Sequence, residues 1–381
     1  MPSLDLAMPL ALLAVVTVAM LINKRVEGKL MATVEQKEFK IRDIILLIAF
    51  MAIIVSVIAY TSFLNPGAIF QNILMVIFLS SYTMLLFTFS YVFSNLTKMR
   101  AQLISLGFGV AAMIAALASL LGPLNDGITI YRTIAFFILA GFCFSVAAYE
   151  QIKKASKSPR WYVAAQPPAI FVLLFVFFNF LYDGSFQVWN PILMDVFGLT
   201  FAILIILYLS SMFSWKTVGL FAVLLTIMDI ILVIGTPIMV GAANQFTGLG
   251  LPVLVYLPNI PFVYSAQGTI LSRGLGLGDF FFAGVLAVQT FNKFGKKTAL
   301  IAAVAMAVAF GIWEAFLPEI IAGLTPIVGR NIQGFPGTLM IISGWAPIVA
   351  LKLFIRRNKV AKMPVVAEST KVPEEPSLPV Q

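Results

Sequence analysis

Long apolar segments separated by short polar ones make up almost the whole chain. Eleven of them are long enough for a helix to cross the hydrocarbon layer of a bilayer, which takes about 20 residues. Helices are expected because an open strand edge in lipid leaves backbone groups without hydrogen bonds. The predicted spans lie near residues 4–22, 43–64, 68–93, 101–121, 130–149, 161–182, 190–212, 215–240, 277–292, 298–317 and 335–355. This pattern predicts an all-α polytopic membrane protein.

Two parts of the chain depart from a simple alternation of spans and loops. The connection over residues 241–276 is long and largely apolar, yet Pro252, Pro258 and Pro261 argue against one continuous helix. A partly re-entrant or strand-like segment is expected there. The last twenty or so residues are rich in proline and glutamate, and they predict a disordered tail.

Composition agrees with a membrane protein and removes several other classes. Hydrophobic residues make up 61% of the 381 residues and charged residues 11%, against about 25% charged in soluble domains. The net charge of +9 comes from basic residues in short loops and not from one soluble face, so no nucleic-acid partner is expected. The expected surroundings are the lipid bilayer. A single cysteine, Cys143, excludes a disulfide within the chain.

The basic residues also predict an orientation, because cytoplasmic loops carry an excess of lysine and arginine. With the C-terminal tail in the cytoplasm, eleven spans place the N-terminus outside. Only Arg132, Arg273 and Arg330 of the 25 basic residues then lie on the outer side. The membrane is expected to be the plasma membrane if the source is prokaryotic, with an internal membrane as the eukaryotic alternative.

Two aspartates lie inside apolar spans, Asp229 in LLTIMDIILVIG and Asp279 in GLGLGDFFFAG. An ionisable residue within the membrane is costly and is a functional hypothesis by default. Asp229 follows Lys216 by 13 residues, and Asp279 precedes Lys293 by 14. At 1.5 Å per residue, both therefore lie roughly 20 Å from the inner face of the apolar layer. On antiparallel neighbouring helices the two carboxyl groups are expected to meet.

A pair of buried carboxyl groups points to a small set of chemistries. Two acids within hydrogen-bonding distance share a proton, so one can draw a proton from water while the other polarises a carbonyl oxygen. Proton or cation transport also uses buried acids, and two structural acids are the third alternative. The chain has no histidine, which excludes a zinc site of the HExxH type and a Ser–His dyad. A protease built from this chain would therefore be an aspartyl protease.

Three motifs resemble those of the GxGD intramembrane aspartyl proteases, the family of signal peptide peptidase and presenilin. GLGD at 276–279 is the GxGD motif, MDIILVIGTPIMVGAA at 228–243 is similar to the signal peptide peptidase pattern, and PGT at 336–338 corresponds to the PAL motif. The similarity covers about residues 213–355, and before that it consists of helix count alone. The residues that the resemblance places at the site are Asp229 and Asp279 as the catalytic pair, with Met228, Gly276, Leu277, Gly278, Pro336, Gly337 and Thr338 beside them.

The resemblance implies a presenilin-like core of nine helices with about two extra helices at the N-terminus. The implied division is 1–64 for the extension, 65–212 for the first part of the core, 213–355 for the catalytic part and 356–381 for the disordered cytoplasmic tail. No metal or organic cofactor is implied. The segment 251–257 resembles the stretch that forms a strand with substrate in presenilins.

The implied partners are transmembrane helices of membrane proteins or of signal-peptide substrates. The helix with Asp229 runs from inside to outside in the predicted orientation. This is the signal peptide peptidase direction and the opposite of presenilin, so it implies substrates of type II orientation.

The motifs also depart from the family pattern. Met228 stands where tyrosine is usual, and the PAL motif keeps only its proline. A catalytically inactive relative that binds membrane helices is therefore an alternative, as is a proton- or cation-coupled transporter. Asp195 and Glu314 lie near the outer ends of their spans, where we expect their side chains to reach the membrane surface, and Arg273 is expected to be an interfacial anchor.

Overall fold

The structure is a computed structural model of the chain. It describes residues 5–33, 38–63, 68–121, 127–152, 157–182, 188–236, 238–264, 270–330, 332 and 334–361. Most of the predicted C-terminal tail, residues 362–381, lies outside the described residues.

The described part of the chain is almost entirely helical. The helices are α1 (Ala7–Thr33), α2 (Ile41–Phe63), α3 (Ala68–Val92), α4 (Lys98–Ser119), α5 (Gly127–Ile152), α6 (Trp161–Ala164), α7 (Gln166–Phe175), α8 (Met194–Ser210), α9 (Trp215–Ile230), α10 (Ile238–Gly248), α11 (Leu277–Phe294), α12 (Lys296–Ala315), α13 (Leu317–Val328) and α14 (Gly337–Ala361). Short π-helical segments extend α7 (Val176–Phe180), precede α8 (Trp189–Leu193) and extend α9 (Ile231–Gly235). The strands are β1 (Leu96–Thr97), β2 (Lys157–Ser158), β3 (Leu254–Pro258) and β4 (Ser272–Gly276).

Ten helical segments of the described residues are long and apolar enough to cross a membrane. The chain is thus an all-α, multi-pass integral membrane protein, as the apolar pattern predicts. The remaining predicted span, 277–292, corresponds to α11. This helix contains Asp279, Gln289, Asn292 and Lys293, and it is not among those ten segments. Every residue from Phe280 to Thr290 is buried in protein, so polar side chains on this helix need not face lipid.

The predicted span over 215–240 is not one helix. The helix is α-helical to Ile230, continues as a π turn to Gly235 and ends at Thr236, whose backbone is extended. Thr236 precedes a proline in the sequence, and the residue before proline is disfavoured in the helical conformation. The chain then begins the separate helix α10.

The connection predicted to be re-entrant or strand-like contains a β-hairpin. Strands β3 and β4 pair antiparallel, with Tyr256 opposite Gly274 and Leu254 opposite Gly276. The hairpin leads directly into α11. Helix α13 was not among the predicted elements, since its short, amphipathic sequence falls between two spans.

Helix α11 is the centre of the bundle. It packs against α1, α8, α9, α12 and α14. The approach of α8 is close, because the Ile206 side chain fills the space where Gly284 has no side chain. The division at residue 64 stays a prediction, but α1 is not peripheral, since it packs against α8, α11 and α12. The predicted start of the tail at residue 356 is too early, because α14 extends to Ala361.

Candidate active site

Asp229 is near the end of α9 and is 6% exposed. The helix begins at a capping box in which Ser214 and Thr217 bond each other reciprocally, which sets where its first turn starts. Oδ2 of Asp229 accepts two hydrogen bonds from Thr338, one from the hydroxyl at 2.7 Å and one from the backbone N–H at 3.3 Å. Thr338 is in the first turn of α14, where backbone N–H groups have no partner within the helix. Asp229 therefore supplies a missing acceptor at the N-terminus of α14.

Asp279 is in the first turn of α11, which begins after Gly276. The backbone N–H of Gly276 bonds the Asp279 carboxylate, and an anion at a helix N-terminus interacts favourably with the helix dipole. Unlike Asp229, Asp279 is partly accessible, and its neighbour Gly278 is exposed with no atom within 4 Å of where a Cβ would be. The pair therefore has one open side, next to Gly278.

Residues 336–338 bring the two aspartates together. While Thr338 bonds Asp229, the Asp279 carboxylate lies over Gly337, so that a Cβ on Gly337 would be 2.5 Å from Oδ1 of Asp279. Asp229 is close enough for its charge to act on Asp279. Pro336 is buried and its carbonyl accepts the first backbone bond of α14, from Met340. The N-termini of α11 and α14 thus converge on two carboxyl groups.

The other residues predicted at the site have supporting positions. Leu277 is buried in the main core, and its N–H donates to the carbonyl of Val253, which continues the hairpin ladder to the start of α11. Met228 is half-buried and packs against the same core. It provides no hydroxyl group beside Asp229.

Asp195 has a different position from the one expected. It is 8% exposed and does not reach the membrane surface. Its Oδ1 accepts the backbone N–H of Tyr256 at 2.7 Å, on the edge of β3 that faces away from β4. The sequence showed that an acid lies in an apolar span. It could not show that the partner of this acid is a backbone N–H on the edge of a strand.

Glu314 and Arg273 also differ from expectation. Glu314 is 6% exposed and forms an ion pair with Arg273 at 3.3 Å. Arg273 belongs to β4, so this pair ties the hairpin to the end of α12. It is one of the two ion pairs between described residues.

Arg330 is a further residue that sequence reasoning did not place at the site. Its Nη2 donates to the carbonyls of Val233 and Ile234, at 3.1 and 2.6 Å. These carbonyls belong to the π turn that follows Asp229, where the helix ends. Arg330 therefore stabilises the C-terminal end of the helix that positions Asp229.

Within the described residues, no group of three or more His, Cys, Asp or Glu side chains could hold a metal ion. Comparison with protein-family models, with curated proteins and with solved structures found no match to this chain.

Proposed function

We propose that the protein is an intramembrane aspartyl endopeptidase of the GxGD type, which hydrolyses peptide bonds within transmembrane segments. The observation that supports this most is the meeting of Asp229 and Asp279 at residues 336–338, the segment that resembles the PAL motif. All three motifs of the resemblance thus lie at one place in the bundle, although they are up to 110 residues apart in the chain.

The proposed chemistry uses one proton shared by two carboxyl groups. One carboxylate takes a proton from a water molecule, whose oxygen attacks the carbonyl carbon of the substrate. The other carboxyl group gives its proton to the carbonyl oxygen, which yields a tetrahedral intermediate. Protonation of the amide nitrogen then allows the C–N bond to break, giving a carboxylic acid and an amine. The two bonds from Thr338 fix Oδ2 of Asp229 as an acceptor, so that the shared proton belongs to the remaining oxygens.

Edge pairing with β4 is the proposed way in which a substrate segment becomes extended. Two backbone bonds show which residue pairs of the hairpin are hydrogen-bonded, Leu277 N–H to Val253 O and Asn259 N–H to Leu271 O. In an antiparallel ladder, hydrogen-bonded pairs alternate with pairs that are not bonded to each other. Tyr256 and Gly274 therefore direct their backbone groups away from each other. On that outer edge of β3 the N–H of Tyr256 bonds Asp195, and on that of β4 the N–H of Gly276 bonds Asp279. No described strand pairs with the outer edge of β4 at Gly274.

We therefore propose β4 as the strand that pairs with substrate; the resemblance indicated the segment 251–257, which stays a prediction. β4 ends at Gly276, three residues before Asp279, so a strand added there would present its peptide bonds beside the carboxylate pair. In the predicted orientation, the substrates would be transmembrane helices or signal peptides of type II orientation.

Cleavage of a labelled type II transmembrane peptide by the purified protein in liposomes tests the proposal. We expect two fragments whose masses sum to that of the peptide plus one water. Glu319→Gln, which removes an exposed acid outside the site, is the matched control and should cleave like the parent protein. The proposal would be overturned if the folded parent protein cleaved none of several such peptides but carried protons or cations across the liposome membrane. The protein would then be a transporter.

A further inference from the structure

A basic cleft lies between the C-terminal ends of α11 and α14. Its volume is about 260 Å³, and it is lined by Lys293, Phe294, Lys352, Ile355 and Arg356. Lys293 follows Asp279 by 14 residues and Lys352 follows Thr338 by 14, so the cleft is roughly 20 Å from the carboxylate pair, on the same two helices. The proposed chemistry does not use it.

The positive charge of the cleft is not compensated by the described residues. Neither of the two ion pairs among them involves Lys293, Lys352 or Arg356, and no acid lines the cleft. All three side chains are exposed.

Two other basic residues have partners within the protein. Lys98 donates to the carbonyl of Gln151, and Lys24 lies over the ring of Phe291. The cleft differs from these two positions, because the three cations that line it have no hydrogen bond, ion pair or ring contact among the described residues.

The remaining lining and the surroundings fit an amphiphilic anion. Phe294 and Ile355 give the cleft an apolar wall, and Leu351 and Phe354 on α14 are largely exposed beside it. A headgroup phosphate could sit among the charges while its acyl chains lie along the apolar helix surface.

We propose that this cleft binds the phosphate of an anionic phospholipid headgroup. Basic pockets between transmembrane helices bind such headgroups by charge and hydrogen bonding. A bound phosphate would bridge α11 and α14, the helices that contribute Asp279 and Thr338. The inference does not depend on the proposed function.

Native mass spectrometry of the full chain in detergent tests this binding, with phosphatidylglycerol as the anionic lipid and phosphatidylcholine as the zwitterionic one. The triple variant K293Q/K352Q/R356Q removes the three charges of the cleft. The control R42Q/K98Q/R100Q removes three charges from α2 and α4, none of which lines the cleft. Thermal midpoints of all three proteins check that each is folded. A separate titration with inorganic phosphate distinguishes a soluble anion from a lipid headgroup.

We expect phosphatidylglycerol to bind the parent and the control alike and more tightly than phosphatidylcholine. Binding to the cleft variant should weaken by about fivefold for each charge removed. If inorganic phosphate bound as tightly as the lipid, the cleft would be a phosphate site for a soluble anion and not for a lipid headgroup. Equal binding of phosphatidylglycerol to the cleft variant and to the control would overturn the proposal.

Discussion

Gly337 and Thr338 are adjacent residues with separate tasks, because one makes room for Asp279 and the other bonds Asp229. The glycine lacks the Cβ that would collide with one carboxylate, and the threonine supplies a hydroxyl and a backbone N–H to the other. The first turn of α14 thereby sets the separation of the two acids.

Gly337→Ala should abolish cleavage. The added methyl group would be 2.5 Å from Oδ1 of Asp279, so either the carboxylate or the start of α14 must move. Gly219→Ala is the control, since its methyl group meets nothing within 4 Å and lies on the helix of Asp229. Initial rates of peptide cleavage compare the two. If the Gly337→Ala variant cleaved at the parent's rate, α11 and α14 would not approach each other as closely as in the structure.

Thr338→Val should lower the cleavage rate, whereas Thr338→Ser should retain most of it. Valine has the size of threonine but cannot donate to Asp229, and a hydrogen bond to a charged group contributes about 1.5–3 kcal/mol. Serine keeps the hydroxyl. The expected difference in kcat is therefore about tenfold or more. Equal rates for valine and serine would mean that the hydroxyl has no part in positioning Asp229.

Four acids differ in how far the sequence predicts their surroundings. Counting residues from the basic boundaries predicted that Asp229 and Asp279 would meet, because helix rise is constant. The hydropathy pattern showed that Asp195 and Glu314 lie near the ends of their spans, but not which groups they bond. Those partners are a strand edge and Arg273, which reach them only through the tertiary fold.

Among the elements, the hairpin of β3 and β4 lies between α10 and α11 and leads into the helix of Asp279. Its ladder continues into the first residue of α11, so a displacement of the hairpin would move Asp279. Three prolines excluded a helix here and the strand-like alternative was predicted. The pairing register could not be predicted, because it depends on Asp195 from α8 closing one edge.

Asp195→Ala should loosen β3. The substitution leaves the backbone N–H of Tyr256 without its acceptor, whereas Asp195→Asn keeps an oxygen at the same place. A hydrogen bond to a charged group contributes about 1.5–3 kcal/mol, so its loss should raise the exchange rate of the Tyr256 amide hydrogen about tenfold or more. Hydrogen exchange of peptides spanning Tyr256 measures the effect, with the asparagine variant as control. Unchanged exchange in the alanine variant would show that Asp195 does not secure the strand.

For the molecule as a whole, the hydrophobic pattern predicted the class and nearly all the spans. It did not predict that α11 would be enclosed by other helices from Phe280 to Thr290, since burial in protein and burial in lipid select similar residues. Neither did it predict the packing of α1 against α11, because helix order in the chain does not fix which helices are neighbours.

Close packing of α12 against α14 supports the position of residues 336–338. A Cβ on Gly344 would be 2.7 Å from the backbone carbonyl carbon of Ala305, which cannot rotate away. Gly344→Ala should therefore destabilise the protein by about 1–3 kcal/mol. Gly141→Ala, which meets nothing within 4 Å, should not. Thermal midpoints in one detergent compare them, and a midpoint for Gly344→Ala at or above the parent's would contradict this packing.

In the proposed function, Asp229 and Asp279 act as one catalytic unit. The most direct test is the cleavage rate of the parent, of Asp229→Asn, of Asp279→Asn and of the double variant, each with its thermal midpoint as a check on folding. Residues that act as a unit are not additive, so both single variants and the double variant should fall to the same background rate. A folded single variant that keeps more than about a tenth of the parent's rate would contradict the claim. So would a double variant far slower than either single one.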